Sequence, residues 1–176
     1  WARRRFMPRF YGHEQGMENL LRAIDLFVDR GVEYLTVFAF SSENWKRPQD
    51  EVSGIMGLVI LGVQKYLRKL AAEGVRIRIV GDRQGLSDKL CAAWDEAEAS
   101  TAGNSRINLS VAFNYGGRWD VVQACRRAVA DGLPPEQVTE QALSSRMAMA
   151  FAPDPDLFIR TGGEVRVSNF LLWQLA

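Results

Sequence analysis

Two arginines near the end of the chain have the side-chain type and spacing that suit a diphosphate ligand. Arg160 and Arg166 lie six residues apart, on either side of the pair Gly162-Gly163. A guanidinium group donates two parallel, charge-assisted hydrogen bonds to phosphate oxygens, which the ammonium group of lysine cannot do. Glu164 allows a second interpretation, a surface ion pair, which would contribute less than about 1 kcal/mol. The pattern favours the anion site, because it directly follows an apolar segment predicted as a strand.

A second polar segment follows the apolar run Tyr34–Phe40. Within eight residues, Ser41 to Pro48, it carries hydroxyl, carboxylate, amide, indole and guanidinium groups. Because serine and asparagine also cap helix ends, a purely structural role is the alternative for this segment.

A third segment, Asn114–Asp120, contains the paired glycines Gly116-Gly117. Glycine lets the backbone approach a ligand or a neighbouring element closely. A tight turn before a helix is the alternative here, since an isolated glycine pair is a weak signal for a phosphate-binding loop.

The only histidine, His13, follows an arginine-rich stretch that includes Arg9. The sequence predicts that His13 lies just before the first helix, where a helix amino terminus and cationic side chains together suit an anion. A structural histidine is the alternative. For Arg3–Arg5, a solvated basic surface is the favoured interpretation.

These segments need a scaffold that positions them, and the hydrophobic pattern indicates one. Apolar residues at helical spacing predict helices over Met17–Val28 and Val52–Leu70, and Gly31 and Gly74 follow them as left-handed caps. Strands are predicted over Tyr34–Phe40, Val75–Val80, Ile107–Phe113 and, in a short form, Asp156–Arg160. Tyr34–Phe40 lacks polar alternation and should be buried on both faces. Further helices are predicted after the cap residues Ser87 and Thr139 and over Trp119–Ala130.

Helices that alternate with apolar strands predict an α/β fold, with a mostly parallel sheet flanked by helices, as a single domain over residues 1–176. In such sheets ligands bind beyond the carboxyl ends of the strands, which is where the polar segments lie. The sequence therefore predicts a functional site at that edge of the sheet.

Composition excludes several classes of protein. The 22 basic and 21 acidic side chains leave a net charge of +1, which is untypical of nucleic-acid binders, and no dinucleotide or Walker loop is present. No run of eighteen apolar residues appears, so we expect a cytoplasmic protein. The chain begins without methionine and stops within an apolar segment that has no capping signal, which predicts truncation at both ends.

Together, these motifs resemble those of the cis-prenyltransferase family, which includes bacterial undecaprenyl diphosphate synthases. The resemblance extends along essentially all 176 residues, and the matching stretches are Trp1-Ala2, Gly12-His13, Phe40–Trp45, Arg47-Pro48, Asn114–Asp120, Ile159–Glu164, Arg166, Ser168–Leu171 and Trp173-Gln174. It implies that isopentenyl diphosphate units are added to an allylic diphosphate such as farnesyl diphosphate, with the help of Mg²⁺. The product would be a long-chain polyprenyl diphosphate of the undecaprenyl type, a lipid carrier for cell-wall synthesis.

The resemblance also implies a role for each matching residue. Arg9 and His13 would bind the allylic diphosphate, with Trp1 near the same loop. Isopentenyl diphosphate would be held by Arg160, Arg166, Val167 and Ser168. The substrate loop would consist of Ser41, Ser42, Glu43, Trp45 and Arg47. Asn44 matches a position with a part in proton removal, and is the expected catalytic residue.

The metal ligands that the resemblance implies lie outside this chain. A magnesium-binding aspartate would precede Trp1, and a metal-binding glutamate would follow Ala176. Val165 takes a position near the metal that is often histidine in the family. We therefore expect no catalytic magnesium site within these 176 residues, and no turnover by this segment alone.

Partners are implied in the same way. The family suggests a homodimer that is associated with the inner face of the membrane and delivers its product to the membrane. No nucleic-acid partner is expected. A noncatalytic partner subunit of a cis-prenyltransferase complex is the alternative function. Retention of Asn44, Arg160 and Arg166 favours the enzyme.

The apolar stripes of the first two predicted helices suggest a path for the growing hydrocarbon. Burial of each methylene would gain about 0.8 kcal/mol. The alternative is that both stripes only form core. Gly54, Gly57 and Gly62 each cost about 1 kcal/mol of helix propensity relative to alanine, which indicates that they leave room along one face.

Overall fold

The computed structural model describes residues 2–161 and 163–176, and for Arg3, Arg9 and Phe10 it describes the backbone alone. The α-helices and strands formed by these residues are α1 (Arg9–Asp29), β1 (Tyr34–Ser41), α2 (Gln49–Ala72), β2 (Val75–Val80), α3 (Asp88–Thr101), β3 (Ile107–Tyr115), α4 (Gly117–Ala130) and α5 (Glu140–Ser144). Short 3₁₀ helices span Arg3–Arg5, Ser42–Lys46 and Pro135–Gln137. The alternation confirms the predicted α/β fold, a parallel sheet flanked by helices.

The three strands form one sheet in the order β1-β3-β2. The central strand β3 is mostly buried, whereas within β1 only Phe40 is buried. The prediction that β1 is buried on both faces is therefore wrong. Because β1 lies at the edge of this sheet, it has a neighbouring strand on one side only.

The chain divides into two compact units. The first comprises the residues up to Val37, Glu43–Ile79 and Arg83–Val111, and the second comprises Phe38–Ser42, Val80–Asp82 and Ala112–Ala176. The second unit thus contains the carboxyl ends of β1 and β3. The single domain expected over the whole chain stays a prediction.

The first unit has a core between its helices and strands. α1 packs against α2, and α2 against α3. The buried cluster contains Ile24 of α1, Leu67 and Leu70 of α2, and Val75 and Ile107 of the strands. Most of the two apolar stripes thus forms core. No described helix carries an apolar stretch long enough to cross a bilayer.

Glycine and hydroxyl residues end and begin these helices as predicted. Gly31 and Gly74, which follow α1 and α2, have φ values of 72° and 78°, a conformation that favours glycine. Ser87 Oγ accepts a hydrogen bond from Leu90 N, and Thr139 Oγ1 accepts one from Ala142 N. Both are side-chain caps of N–H groups in the first turn of a helix.

α1 begins at Arg9, eight residues before the predicted start at Met17. His13 therefore lies within the helix, and the prediction that it precedes the helix is wrong. Gly12 and Gly16 interrupt the apolar pattern and have low helix propensity, so the pattern did not predict the first turns of α1. Gly12 instead permits a close approach of α1 to Ala2, because a Cβ added to Gly12 would lie 3.3 Å from Ala2 Cβ.

The core of the second unit is built around the end of β3. Tyr115 is fully buried and donates a hydrogen bond to the buried carboxylate of Asp120, with 2.8 Å between Tyr115 Oη and Asp120 Oδ2. Asp120 Oδ1 accepts a second bond from Ala148 N at 2.7 Å. Burial, reinforced by the Asp120 charge, raises the pKa of Tyr115. The ring of Phe170 packs at the edge of the Tyr115 ring.

The segment Asp156–Arg160 forms no strand, so that prediction is wrong. Leu157 and Ile159 are 71% and 58% exposed, and Pro153 and Pro155 lie just before them. Apolar character alone does not make a strand, because a strand also needs the backbone of a neighbour for its hydrogen bonds. A proline also lacks the N–H group that such pairing uses.

Candidate functional site

In the first unit, one carboxylate joins two of the residues predicted to bind substrate. Glu51 Oε1 lies 2.8 Å from Arg47 Nη1 and 3.7 Å from His13 Nε2. The Glu51 side chain is only 11% exposed. Since the His13 distance exceeds hydrogen-bonding range, this contact is weaker than the bond to Arg47. His13 and Arg47 are thus brought together through a residue that the sequence interpretation did not single out.

Glu51 could have been found from sequence, because it lies four positions after Arg47 within the first turn of α2. Arg47 directly precedes Pro48, the cap residue of α2, so an acidic residue in the first turn of the helix lies within its reach. Its proximity to His13, however, comes from the packing of α1 against α2, which no local pattern shows.

The predicted substrate loop is a 3₁₀ helix rather than an irregular loop. Glu43, Asn44 and Trp45 all lie within Ser42–Lys46. Trp45 is 40% exposed, Glu43 is exposed and Asn44 is half-buried. Asn44 O accepts a hydrogen bond from Arg47 N, which closes this turn onto the start of α2.

In the second unit, the predicted diphosphate residues do come together. Arg160 Nη1 donates to Ser168 Oγ at 3.1 Å and to the carbonyl oxygen of Arg166 at 2.9 Å. Arg160 Nη2 lies 2.6 Å from Glu164 Oε2, and Arg166 Nη2 lies 2.8 Å from the same oxygen. The ion pair with Glu164, the alternative considered for the sequence, is therefore present.

Electrostatics of this cluster leave room for an anionic ligand. Arg160 and Arg166 carry two positive charges and Glu164 only one negative charge. The Arg166 side chain is 66% exposed and that of Glu164 50% exposed, so their pairing is solvated and contributes little. A diphosphate, with more charge and more acceptor oxygens, can compete for the same guanidinium groups.

Other predicted residues are less closely tied to these clusters. The side chain of Val167 is 37% exposed. Ser41 ends β1 and is half-buried, as is Ser42 next to it. Trp1 and the side chain of Arg9 lie outside the described residues, so their roles stay predictions.

The residues that the structure describes do not form a metal site. Within 2–161 and 163–176, no three His, Cys, Asp or Glu side chains gather so that they could hold a metal ion. Val165, at the position where the family often has histidine, is fully exposed and offers no ligand atom. The described residues thus do not fit a bound magnesium ion by themselves.

Comparison with known proteins identifies the family. Residues 1–176 match the family described as "Putative undecaprenyl diphosphate synthase". An isoprenyl transferase of Neisseria gonorrhoeae is 48% identical over 176 residues, which cover all of this chain and 70% of that protein. A Pseudomonas aeruginosa protein named ditrans,polycis-undecaprenyl-diphosphate synthase ((2E,6E)-farnesyl-diphosphate specific) is 48% identical over 180 residues, which cover 100% of this chain and 72% of its own.

A solved structure shares the fold. Lavandulyl diphosphate synthase of Lavandula x intermedia, in complex with dimethylallyl diphosphate, superposes with a TM-score of 0.94 at 30% identity, over 99% of this chain and 77% of that one. Because the family match spans residues 1–176 and a relative is 48% identical over the whole of this chain, the chain belongs to the undecaprenyl diphosphate synthase family.

Proposed function

We propose that this protein is a cis-prenyltransferase that condenses isopentenyl diphosphate units onto an allylic diphosphate such as farnesyl diphosphate. The product is a long-chain polyprenyl diphosphate of the undecaprenyl type, which serves as a lipid carrier for cell-wall synthesis. The observation that carries the proposal is the cluster of Arg160, Arg166 and Ser168, which has the donors for one diphosphate group. The names of the relatives at 48% identity support the same reaction.

The proposed chemistry explains why cations matter. The allylic carbon–oxygen bond breaks, a new carbon–carbon bond forms to the double bond of isopentenyl diphosphate, a proton is lost and diphosphate leaves. Negative charge grows on the departing diphosphate, so nearby guanidinium and imidazole groups stabilise the transition state more than the ground state. Arg9 and His13 are the proposed ligands of that leaving group, with Trp1 beside them.

Isopentenyl diphosphate is assigned to Arg160, Arg166, Val167 and Ser168. When isopentenyl diphosphate binds, the guanidinium groups of Arg160 and Arg166 would exchange their bonds to Glu164 for bonds to phosphate oxygens. The substrate loop is assigned to Ser41, Ser42, Glu43, Trp45 and Arg47, with Asn44 as the residue that takes part in proton removal. Arg47 is supported in this role by its bond to Glu51, which orients the guanidinium group.

Magnesium, the proposed cofactor, supplies charge neutralisation for the diphosphate groups when it is bound. Its ligands are proposed to lie in parts of the full-length protein outside these 176 residues. The full-length protein is proposed to be a cytoplasmic homodimer that delivers its product to the inner face of the membrane.

One incubation tests the function. The full-length protein is mixed with farnesyl diphosphate, radiolabelled isopentenyl diphosphate and Mg²⁺, and the extracted lipid is sized by chromatography. We expect a ladder that ends at a long polyprenyl chain. If the purified protein makes no lipid alone but stimulates a second cis-prenyltransferase chain, it is the noncatalytic partner subunit instead.

A further inference from the structure

The chain that follows Arg166 has an unfavourable backbone conformation. Ser168 and Leu171 have φ values of 59° and 42°, in the left-handed region that residues with a Cβ atom rarely adopt. Such a conformation persists only where surrounding contacts determine it, and it is common at functional sites. Phe170 and Leu171 are buried in the second unit and fix one end of this segment.

Asn169 fixes the other end by binding the start of α4. Its carbonyl oxygen accepts a hydrogen bond from Gly117 N at 2.8 Å, and its Oδ1 accepts one from Arg118 N at 3.0 Å. N–H groups in the first turn of a helix have no acceptor within the helix. Gly116, the cap residue of α4, makes no side-chain capping bond. Asn169 thus caps α4 from 51 positions away along the chain.

Gly116 is required for this arrangement. A Cβ atom added to it would lie 2.5 Å from Asn169 Nδ2 and 2.7 Å from Ser42 Oγ. Both distances are shorter than any normal contact, so a side chain at position 116 would displace one or both groups. Only glycine at position 116 therefore allows Asn169, the start of α4 and Ser42, the residue after β1, to lie this close together.

The segment held by Asn169 carries the proposed diphosphate ligands. Ser168, the adjacent residue, accepts a bond from Arg160, and Arg160 also donates to the carbonyl oxygen of Arg166. Any shift of this segment would move the serine hydroxyl and the arginine fork together. We infer that Asn169, seated against Gly116, is a positioning residue that preorganises the isopentenyl diphosphate site. This inference rests on the proposed function.

The test compares Michaelis constants for the two substrates in the full-length protein. Asn169→Ala should raise KM for isopentenyl diphosphate by on the order of 10- to 100-fold, since small misplacements of binding groups have effects of that size. KM for farnesyl diphosphate should stay within about twofold, because its proposed ligands lie elsewhere in the chain. Asn108→Ala is the matched control, because it also removes an asparagine-to-backbone bond, to Glu33 O in the first unit. It should leave both constants unchanged.

Gly116→Ala provides a second, independent variant if Asn169→Ala does not fold. It should raise the same KM selectively. In the double variant the rise should be smaller than the two single effects combined, because Asn169→Ala removes the amide that the new Cβ would meet and leaves only the contact with Ser42 Oγ.

The outcomes separate the two claims. A wild-type protein that elongates no substrate refutes the proposed function. An active wild type with an unchanged KM for isopentenyl diphosphate in both variants, or with equal rises in both constants, overturns the role of Asn169 and leaves the function standing.

Discussion

Glu164 lies between two guanidinium groups whose proposed ligand is itself an anion. Its carboxylate keeps Arg160 and Arg166 within a few ångströms of one another. Two like charges at such a distance repel, and a shared carboxylate reduces that cost. Glu164 therefore holds the pair ready, at a solvated position from which a ligand with more charge can displace it.

The planar fork of Arg160 should be essential at this position. Arg160→Lys keeps the charge but cannot reach Glu164, Ser168 and the Arg166 carbonyl at once. Loss of one or two charge-assisted bonds costs about 1.5–3 kcal/mol, so KM for isopentenyl diphosphate should rise about 10- to 100-fold. Steady-state kinetics of the full-length protein measure this. Arg146→Lys, at an arginine that binds Asp131 in the same unit, is the control and should leave KM unaltered. If Arg160→Lys and the wild type have the same KM for isopentenyl diphosphate, Arg160 does not bind this substrate.

At the scale of elements, the end of β3 and the start of α4 are joined by a buried polar pair. Tyr115 and Asp120 are both almost completely inaccessible to solvent, and the carboxylate also accepts a bond from Ala148 N. Buried polar groups are costly unless they are paired. This pair therefore holds α4, and with it Gly116, in a fixed relation to the sheet end of the second unit.

Tyr115→Phe should destabilise the protein by about 1–3 kcal/mol, because the variant leaves one carboxylate oxygen of Asp120 without its donor. Urea unfolding at pH 7, followed by circular dichroism, measures the loss. Tyr34→Phe, at a tyrosine that is 36% exposed, is the control and should change the free energy of unfolding little.

The same pair predicts how stability depends on pH. Burial raises the pKa of Tyr115 in the folded protein, whereas the unfolded chain ionises near pH 10. The stabilisation is complete below the unfolded pKa and decreases as the pH rises above it, because only the unfolded state then loses its proton. The stability difference between wild type and Tyr115→Phe should therefore shrink between pH 9 and pH 11. A constant difference over that range would contradict the raised pKa.

α2 carries both core and partly exposed apolar residues. Leu67 and Leu70 in its second half are buried, whereas Ile55, Met56 and Leu58 in the first half are only half-buried. The first half thus retains apolar surface that a hydrocarbon could cover. A Cβ on Gly57 would meet nothing within 4 Å, while one on Gly62 would lie 3.0 Å from Met17 Cε.

Gly57→Leu should fold and should shorten the lipid product, since the new side chain enters open space beside the partly exposed apolar residues. Chromatographic sizing of the product chains measures this. Ala72→Leu adds a similar apolar volume to the exposed last residue of the same helix, and it should leave chain length unaltered. Products of wild-type length from Gly57→Leu would refute a path along α2.

For the whole molecule, the fold does not determine the product. A lavandulyl diphosphate synthase has nearly the same backbone at 30% identity, yet its name gives a different prenyl diphosphate. The identity of the product must therefore depend on side chains rather than on the backbone fold.

Removal of magnesium should stop elongation by the full-length protein, and its return should restore it, because the proposed leaving group needs charge neutralisation. The measurement is product formation after treatment with EDTA and after added Mg²⁺. Residues 1–176 alone should show no tight Mg²⁺ binding by calorimetry and no turnover. Turnover by this segment would place the metal ligands within it.

Local patterns in the sequence were sufficient for most of the elements and for the family. The bounds of β2, the caps at Ser87 and Thr139 and the glycines after α1 and α2 follow from spacing and backbone preference, which act over a few residues. The cluster around Arg160 was predicted from the arginine spacing and from a preceding strand, Asp156–Arg160, which does not form.

Tertiary structure alone decided which distant residues meet. Glu51 reaches His13 through the packing of two helices, and Asn169 caps a helix that begins 52 positions earlier. The edge position of β1 and the lack of a strand at Asp156–Arg160 likewise depend on neighbours far along the chain. Hydrogen bonds and burial are satisfied by whichever groups the fold brings together, so a periodic pattern predicts an element but not its partners.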